Sequence, residues 1–142
     1  MSFLRKRFRI RFRPEQALQK TVAEYLNIRY PGALWTASAS GTGRIGVIAG
    51  SMLKMMGYRK GCPDILIFEP RGKYHGLHLE LKTAGLIYLD GDKTVTKPGG
   101  KAIPEQADWI EQANARGYLA VVCTGIDETI TVIDDYFRSG KG

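Results

Sequence analysis

The chain has 142 residues, 44% of them apolar and 25% charged, with a net charge of +7 at neutral pH. That length and balance suit one soluble domain with a core; no apolar run approaches the roughly 20 residues of a membrane span, and the basic start lacks the apolar segment and cleavage site of a secretory signal. Two cysteines, Cys62 and Cys123, supply neither a disulfide framework nor a zinc quartet, so a reducing, cytoplasmic setting is expected.

The charge is unevenly spread. Arg5, Lys6, Arg7, Arg9, Arg11 and Arg13 all precede the first acid, Glu15, and account for most of the excess. Between Arg29 and Lys60 there is no acid, while Arg44, Lys54 and Arg59 add positive charge; the acids cluster from Glu105 to Asp135. Such asymmetry points to a polyanionic partner, and charge alone does not separate DNA from RNA or a membrane surface.

Residues 1–13 read as a basic arm and residues 14–142 as the folded domain. From Phe8 the arm alternates, with Phe8, Ile10 and Phe12 on one face and arginines on the other, which is strand periodicity. It fits an edge strand, an arm laid on DNA, or a strand exchanged within a dimer. Pro14 to Tyr30 is predicted as a helix: Pro14 and Glu15 suit its start, and Ala17, Leu18, Val22, Tyr25 and Leu26 recur at helical spacing before Pro31-Gly32. A short strand is expected within 33–38. Gly41-Thr42-Gly43-Arg44-Ile45-Gly46 matches the letters of a dinucleotide-binding fingerprint. That fold runs a strand directly into the first glycine and ends its second strand with the acid, whereas here Ser38-Ala39-Ser40 precedes the glycine and Asp64 opens a strand. The cofactor reading is therefore set aside. Ile45 to Gly57 is predicted as a second helix, with Met52, Met55 and Met56 as core filler and Gly57 as its cap.

Two short apolar runs follow, Gly61 to Phe68 and Gly76 to Lys82, joined by a loop that holds Arg71-Gly72-Lys73. Both read as buried strands. Charged residues in such runs need a reason, because a buried unpaired carboxylate costs on the order of several kcal/mol or neutralises itself. The period of two puts Glu80 and Lys82 on one face, and antiparallel pairing would bring Asp64 to the same end of the sheet. Two carboxylates and an ammonium so placed can hold a hard divalent cation and a water. All-oxygen ligation points to Mg2+ or Mn2+ over zinc. The plainer alternative is a strand-start aspartate and a surface ion pair between Glu80 and Lys82.

Leu86 to Thr96 carries two β-prone runs around Asp90-Gly91-Asp92-Lys93, a hairpin signal in which the aspartates read as turn residues. Pro104 to Arg116 is predicted as a helix ended by Gly117, Tyr118 to Cys123 as a buried strand, and Ile126 to Phe137 as a terminal helix of modest amphipathicity.

The PD-(D/E)XK pattern is carried by Pro63-Asp64 and Glu80-Leu81-Lys82. In wider order, Lys60-Gly61-Cys62-Pro63-Asp64, Tyr74-His75-Gly76-Leu77-His78-Leu79-Glu80-Leu81-Lys82, Pro104-Glu105-Gln106 with Trp109, and Gly117-Tyr118 closely resemble the virus-type replication-repair nuclease (VRR-NUC) domain. The resemblance runs from about Glu15 to Tyr136. Either half of the motif alone says little; the ordered set is specific. It implies an α/β, restriction-endonuclease-like fold, a central mixed β-sheet flanked by helices, and metal-dependent cleavage of DNA.

By that resemblance Asp64, Glu80, Lys82 and Gln106 are catalytic, and Asp64, Glu80 and the backbone carbonyl of Leu81 hold the metal. Lys82, beside two carboxylates, should stay protonated and orient the water. Glu15 matches a family glutamate near the metal and is equally an ordinary helix-start acid; Gln106 matches a glutamine facing the site. Arg44 and Lys54 are candidate phosphate contacts, or else part of a solvated helix face. With Lys60 and the arm's Arg7, Arg9 and Arg11 they make up the DNA-binding set. Many relatives carry a serine where this chain has Ile103, and the hairpin looks like an insertion beside the site. Stand-alone members look like dimeric resolvases of four-way (Holliday) junctions, and fused members act on flaps. The expected partner is branched DNA and the expected assembly a homodimer, with no membrane association. A phage or bacterial host cell is compatible with this and is not readable from the residues. The rival from another class is a nuclease-shaped module that only grips branched nucleic acid; the intact Asp64, Glu80 and Lys82 argue against it.

Overall fold

A computed structural model gives the fold and describes residues 12–38, 47–83, 85–89, 93–97 and 102–140. In chain order its elements are α1 (Pro14–Arg29), β1 (Trp35–Ala37), α2 (Val47–Met55), β2 (Ile65–Ile67), β3 (Leu77–Lys82), β4 (Gly85–Leu89), β5 (Lys93–Lys97), α3 (Pro104–Ala115), β6 (Leu119–Thr124) and α4 (Gly125–Arg138). The arm residues Arg7, Phe8, Arg9, Ile10 and Arg11, the glycine-rich stretch with Arg44, and Asp90 and Asp92 lie outside the described residues.

Four strands form one mixed sheet in the order β1-β2-β3-β6, and β4-β5 form a separate two-stranded hairpin. The first two pairings in the larger sheet are antiparallel, while β3 and β6 run parallel. A parallel pair needs a crossover, and α3 supplies it after the hairpin. Alternation along β3 then sorts its side chains. Leu77, Leu79 and Leu81 join Ile65, Ile67 and Cys123 in the core, against Val22 and Leu26 of α1 and Ile133 and Tyr136 of α4. His78, Glu80 and Lys82 take the other face, where Trp109 and Gln106 of α3 meet them. One face of the sheet is thus an apolar core, and the other carries the charged residues of β3. The chemistry lives on the second.

The sequence of α1 fits its boundaries. Pro14 occupies the first turn, the Tyr30 N–H closes the helix on the Leu26 carbonyl at 2.9 Å, and Val22 and Leu26 are the residues it buries. The predicted hairpin forms with Leu86 paired to Thr96. β1 and β2, the strands on either side of the glycine-rich stretch, are antiparallel. A dinucleotide fold requires a parallel strand-helix-strand unit there, so that alternative is removed.

Two expectations are corrected. Met52, Met55 and Met56 are not core filler: they are 55%, 83% and 79% exposed. Periodicity says which residues share a helix face, not which body covers that face. The terminal helix is strongly rather than modestly amphipathic. Its inner stripe is Thr129, Ile133 and Tyr136, and two of these carry hydroxyls. The Thr129 hydroxyl donates to the Gly125 carbonyl at 2.7 Å and the Tyr136 hydroxyl to the Glu69 carbonyl at 2.5 Å, which lets both side chains bury. Asp134 accepts from the hydroxyls of Tyr25 and Tyr30, each at 2.6 Å, and ties α4 to α1.

Candidate active site

The β2–β3 register pairs Ile65 with Leu79. One step further, Asp64 stands across from Glu80, and its Oδ2 accepts the Leu81 N–H at 2.7 Å. The two acids of the motif are therefore brought together by antiparallel pairing alone.

Glu80 is 2% exposed. Its Oε1 accepts from Gln106 Nε2 at 2.7 Å and lies 3.6 Å from Lys82 Nζ. Its Oε2 is buried without a hydrogen-bond donor. Burial, with the charge of Asp64 adding to it, pushes the Glu80 carboxyl up to about 8, and Lys82 pulls only partly the other way. Burial and the neighbouring charge thus favour the protonated form of this carboxyl in the metal-free protein. Gln106 Oε1 accepts from Lys82 Nζ at 2.9 Å and from the Ile103 N–H at 3.0 Å. One side chain thus caps α3 and bridges acid to base. Ile103 makes no side-chain hydrogen bond at the cap, but the reciprocal half of the box, from the third helical position back to the cap N–H, is intact through Gln106.

Gly61 fixes where α3 sits. Its φ is +93°, and a Cβ built there would stand 2.4 Å from the Glu105 carbonyl oxygen and 2.9 Å from the Gln106 nitrogen. Only glycine lets the loop before Asp64 press against the first turn of α3. That contact sets Gln106 over Glu80.

Of the other residues singled out from the sequence, Glu15 is exposed in the first turn of α1, and no described hydrogen bond or ion pair links it to Asp64, Glu80 or Lys82. Lys54 is exposed at the end of α2. Lys60 is exposed beside Gly61 and pairs with Glu105 at 3.6 Å. The sequence reading missed His78, which is 8% exposed on the face that carries Glu80. Its Nδ1 accepts from Trp109 Nε1 at 3.2 Å, and its ring stacks on Tyr118 with centroids 4.8 Å apart. The alternation His78, Glu80, Lys82 was the signal that placed it on this face.

Among the described residues no group of three or more His, Cys, Asp or Glu side chains assembles as a metal site. Two carboxylates do converge, one with an oxygen that lacks a donor, and hard divalent cations take oxygen ligands that include backbone carbonyls and water. The donor set fits such a cation.

No family model matches the sequence. No curated protein matches it either. Among solved structures, a VRR_NUC domain protein is similar over 93% of this chain and 94% of its own, with 28% identity and a TM-score of 0.66. The likeness covers nearly all of both chains, and it falls on a sheet that carries Pro63-Asp64 and Glu80-Leu81-Lys82 on neighbouring strands: it supports a VRR-NUC domain, a nuclease domain of the PD-(D/E)XK type.

Proposed function

We propose that this domain is a divalent-metal-dependent, structure-selective endonuclease that cuts DNA, with the four-way junction as its substrate and a homodimer as its working form. The observation that carries the metal-dependent reading is the Glu80 Oε2, a buried carboxylate oxygen without a donor, on the strand beside Asp64. Asp64, Glu80 and the Leu81 carbonyl would hold Mg2+ or Mn2+. When bound, such an ion lowers the pKa of a water and stabilises charge on the phosphate.

The chain's own groups account for the rest. Lys82, held by Gln106 at 2.9 Å, keeps an ammonium beside the carboxylates, where it orients the attacking water and offsets charge on a phosphate oxygen. Gln106 fixes both Lys82 and Glu80, so neither has to be ordered when substrate arrives. The exposed cations Lys54 and Lys60, with Arg7, Arg9, Arg11 and Arg44, form the proposed phosphate contacts. A two-fold pair of such domains would supply the two sites that symmetrical cutting of a junction needs.

A panel of a labelled duplex, a flap and a four-way junction, titrated with Mg2+ or Mn2+, tests this. Symmetrical cuts in the junction, lost with chelator, support the reading. Preference for the flap would replace the substrate, and binding without cleavage at any metal concentration would reduce the protein to a binding module.

A further inference from the structure

Beside the carboxylates, on the same face of the sheet, lies a cavity of about 380 Å3 that the cleavage chemistry does not use. Its lining includes Phe68, His78, Trp109 and Tyr118, together with Arg59 and Arg116. We infer that this cavity receives one unpaired base of the nucleic-acid substrate, next to the phosphodiester held at Asp64 and Glu80. The inference rests on the nuclease reading and names what its substrate must present.

Three observations converge on that occupant. The walls are aromatic: His78 and Tyr118 stack, and the Trp109 ring is held in place by its N–H bond to His78. Every base has a π-face, so such walls take a base without reading its identity. The charge is complementary, since Arg59 and Arg116 line a cavity whose remaining walls are largely apolar, which suits a flat base attached to phosphates. Arg59 is paired with Asp108 at 3.1 Å, but both side chains are more than half exposed, and a surface pair of that kind yields to a phosphate. The third observation is position. His78 precedes Glu80 by two residues on one face of β3, about 6.6 Å along a strand. That distance is short enough for a nucleotide whose phosphate lies at the carboxylates to place its unstacked base in the cavity. A paired base is locked in its stack, and extrusion is easiest where pairing is already broken, as at a branch or bulge.

Trp35→Phe leaves Trp109 as the sole indole of the chain, and Glu80→Gln in the same protein prevents cleavage during titration. A duplex with a one-base bulge should quench Trp109 fluorescence, while the fully paired duplex should not. The bulged duplex should also bind about five- to a hundredfold more tightly. Trp109→Ala should bring that ratio toward one. Phe68→Ala, at a side chain already 46% exposed, should lower it without touching His78. Equal affinities, fluorescence that does not distinguish the two duplexes, or a ratio that survives both substitutions overturns the inference. Cleavage separates it from the reading beneath it. Glu80-dependent cutting with no preference for the bulge sinks the base site alone, and a bulge preference in a protein that cuts nothing sinks the nuclease alone.

Discussion

Gln106 donates to Glu80 Oε1 at 2.7 Å from the first turn of α3, and the carbonyl end of the same amide takes Lys82 Nζ at 2.9 Å. The side chain therefore orders both ends of the Glu80-Leu81-Lys82 motif. It also accepts the Ile103 N–H, so its position is fixed by the helix start and not by the substrate.

Gln106→Ala should lower kcat/KM by about 10- to 100-fold, the usual effect of removing a group that orients metal ligands. The variant should also lose about 1 kcal/mol of stability, because the Ile103 N–H loses its partner. Steady-state cleavage kinetics and urea unfolding measure the two effects separately. A variant with unchanged kcat/KM would leave Gln106 as a helix cap only.

The Glu80 carboxyl, raised to about 8 by burial, makes the metal-free protein sensitive to pH. The folded state holds this proton more tightly than the unfolded chain, so between the ordinary carboxylate range and about 8 the folded state binds more protons. Stability is therefore full below the ordinary range and falls as pH rises toward 8, by on the order of a few kcal/mol. Glu80→Gln should flatten that slope in urea unfolding with metal chelated. Metal binding should release close to one proton below pH 8, read by calorimetry in two buffers of different ionisation enthalpy. A slope that persists unchanged in Glu80→Gln would assign it to another group.

Gly61→Ala drives a Cβ into the Glu105 carbonyl and places a non-glycine residue at φ +93°. A loss of about 1–3 kcal/mol is expected. Because the strain acts on the backbone that carries Gln106, cleavage should fall even at temperatures where the variant is fully folded. Full activity in a folded Gly61→Ala protein would show that this close approach does not set the site.

The arm contributes most of the net charge, and its role is testable while Phe8, Ile10 and Phe12 are kept. Arg7, Arg9 and Arg11 changed together to Glu should weaken binding to every DNA structure. The slope of log K against log salt should become shallower by about 3, with the preference among structures unchanged. If affinity and slope are kept, the arm is a structural strand and the basic residues from Arg44 to Lys60 carry the DNA.

What the sequence revealed follows from distance along the chain. Asp64, Glu80 and Lys82 could be placed because two neighbouring strands and a period of two determine who shares a corner, and the β4–β5 hairpin was legible for the same local reason. Gly61 was not, since its partner is the Glu105 carbonyl on a helix far along the chain, and nothing local announces a backbone contact of that kind. The aromatic wall was likewise hidden: Trp109 and His78 meet only because α3 crosses the face of the sheet that carries Glu80. The exposed methionines in and just after α2, and the amphipathicity of α4 that was read as modest, misled for one shared reason. Residue type states a preference for burial, and packing decides it.

The central claim is that Glu80 and its neighbours hydrolyse a phosphodiester with a bound divalent cation. Cleavage of an end-labelled four-way junction by the wild-type chain and by Glu80→Ala, in Mg2+ and in chelator, tests it most directly. The account predicts product only for the wild type with metal, with Glu80→Ala folded and still bound to the junction. Equal product from Glu80→Ala, or from the wild type in chelator, would contradict it.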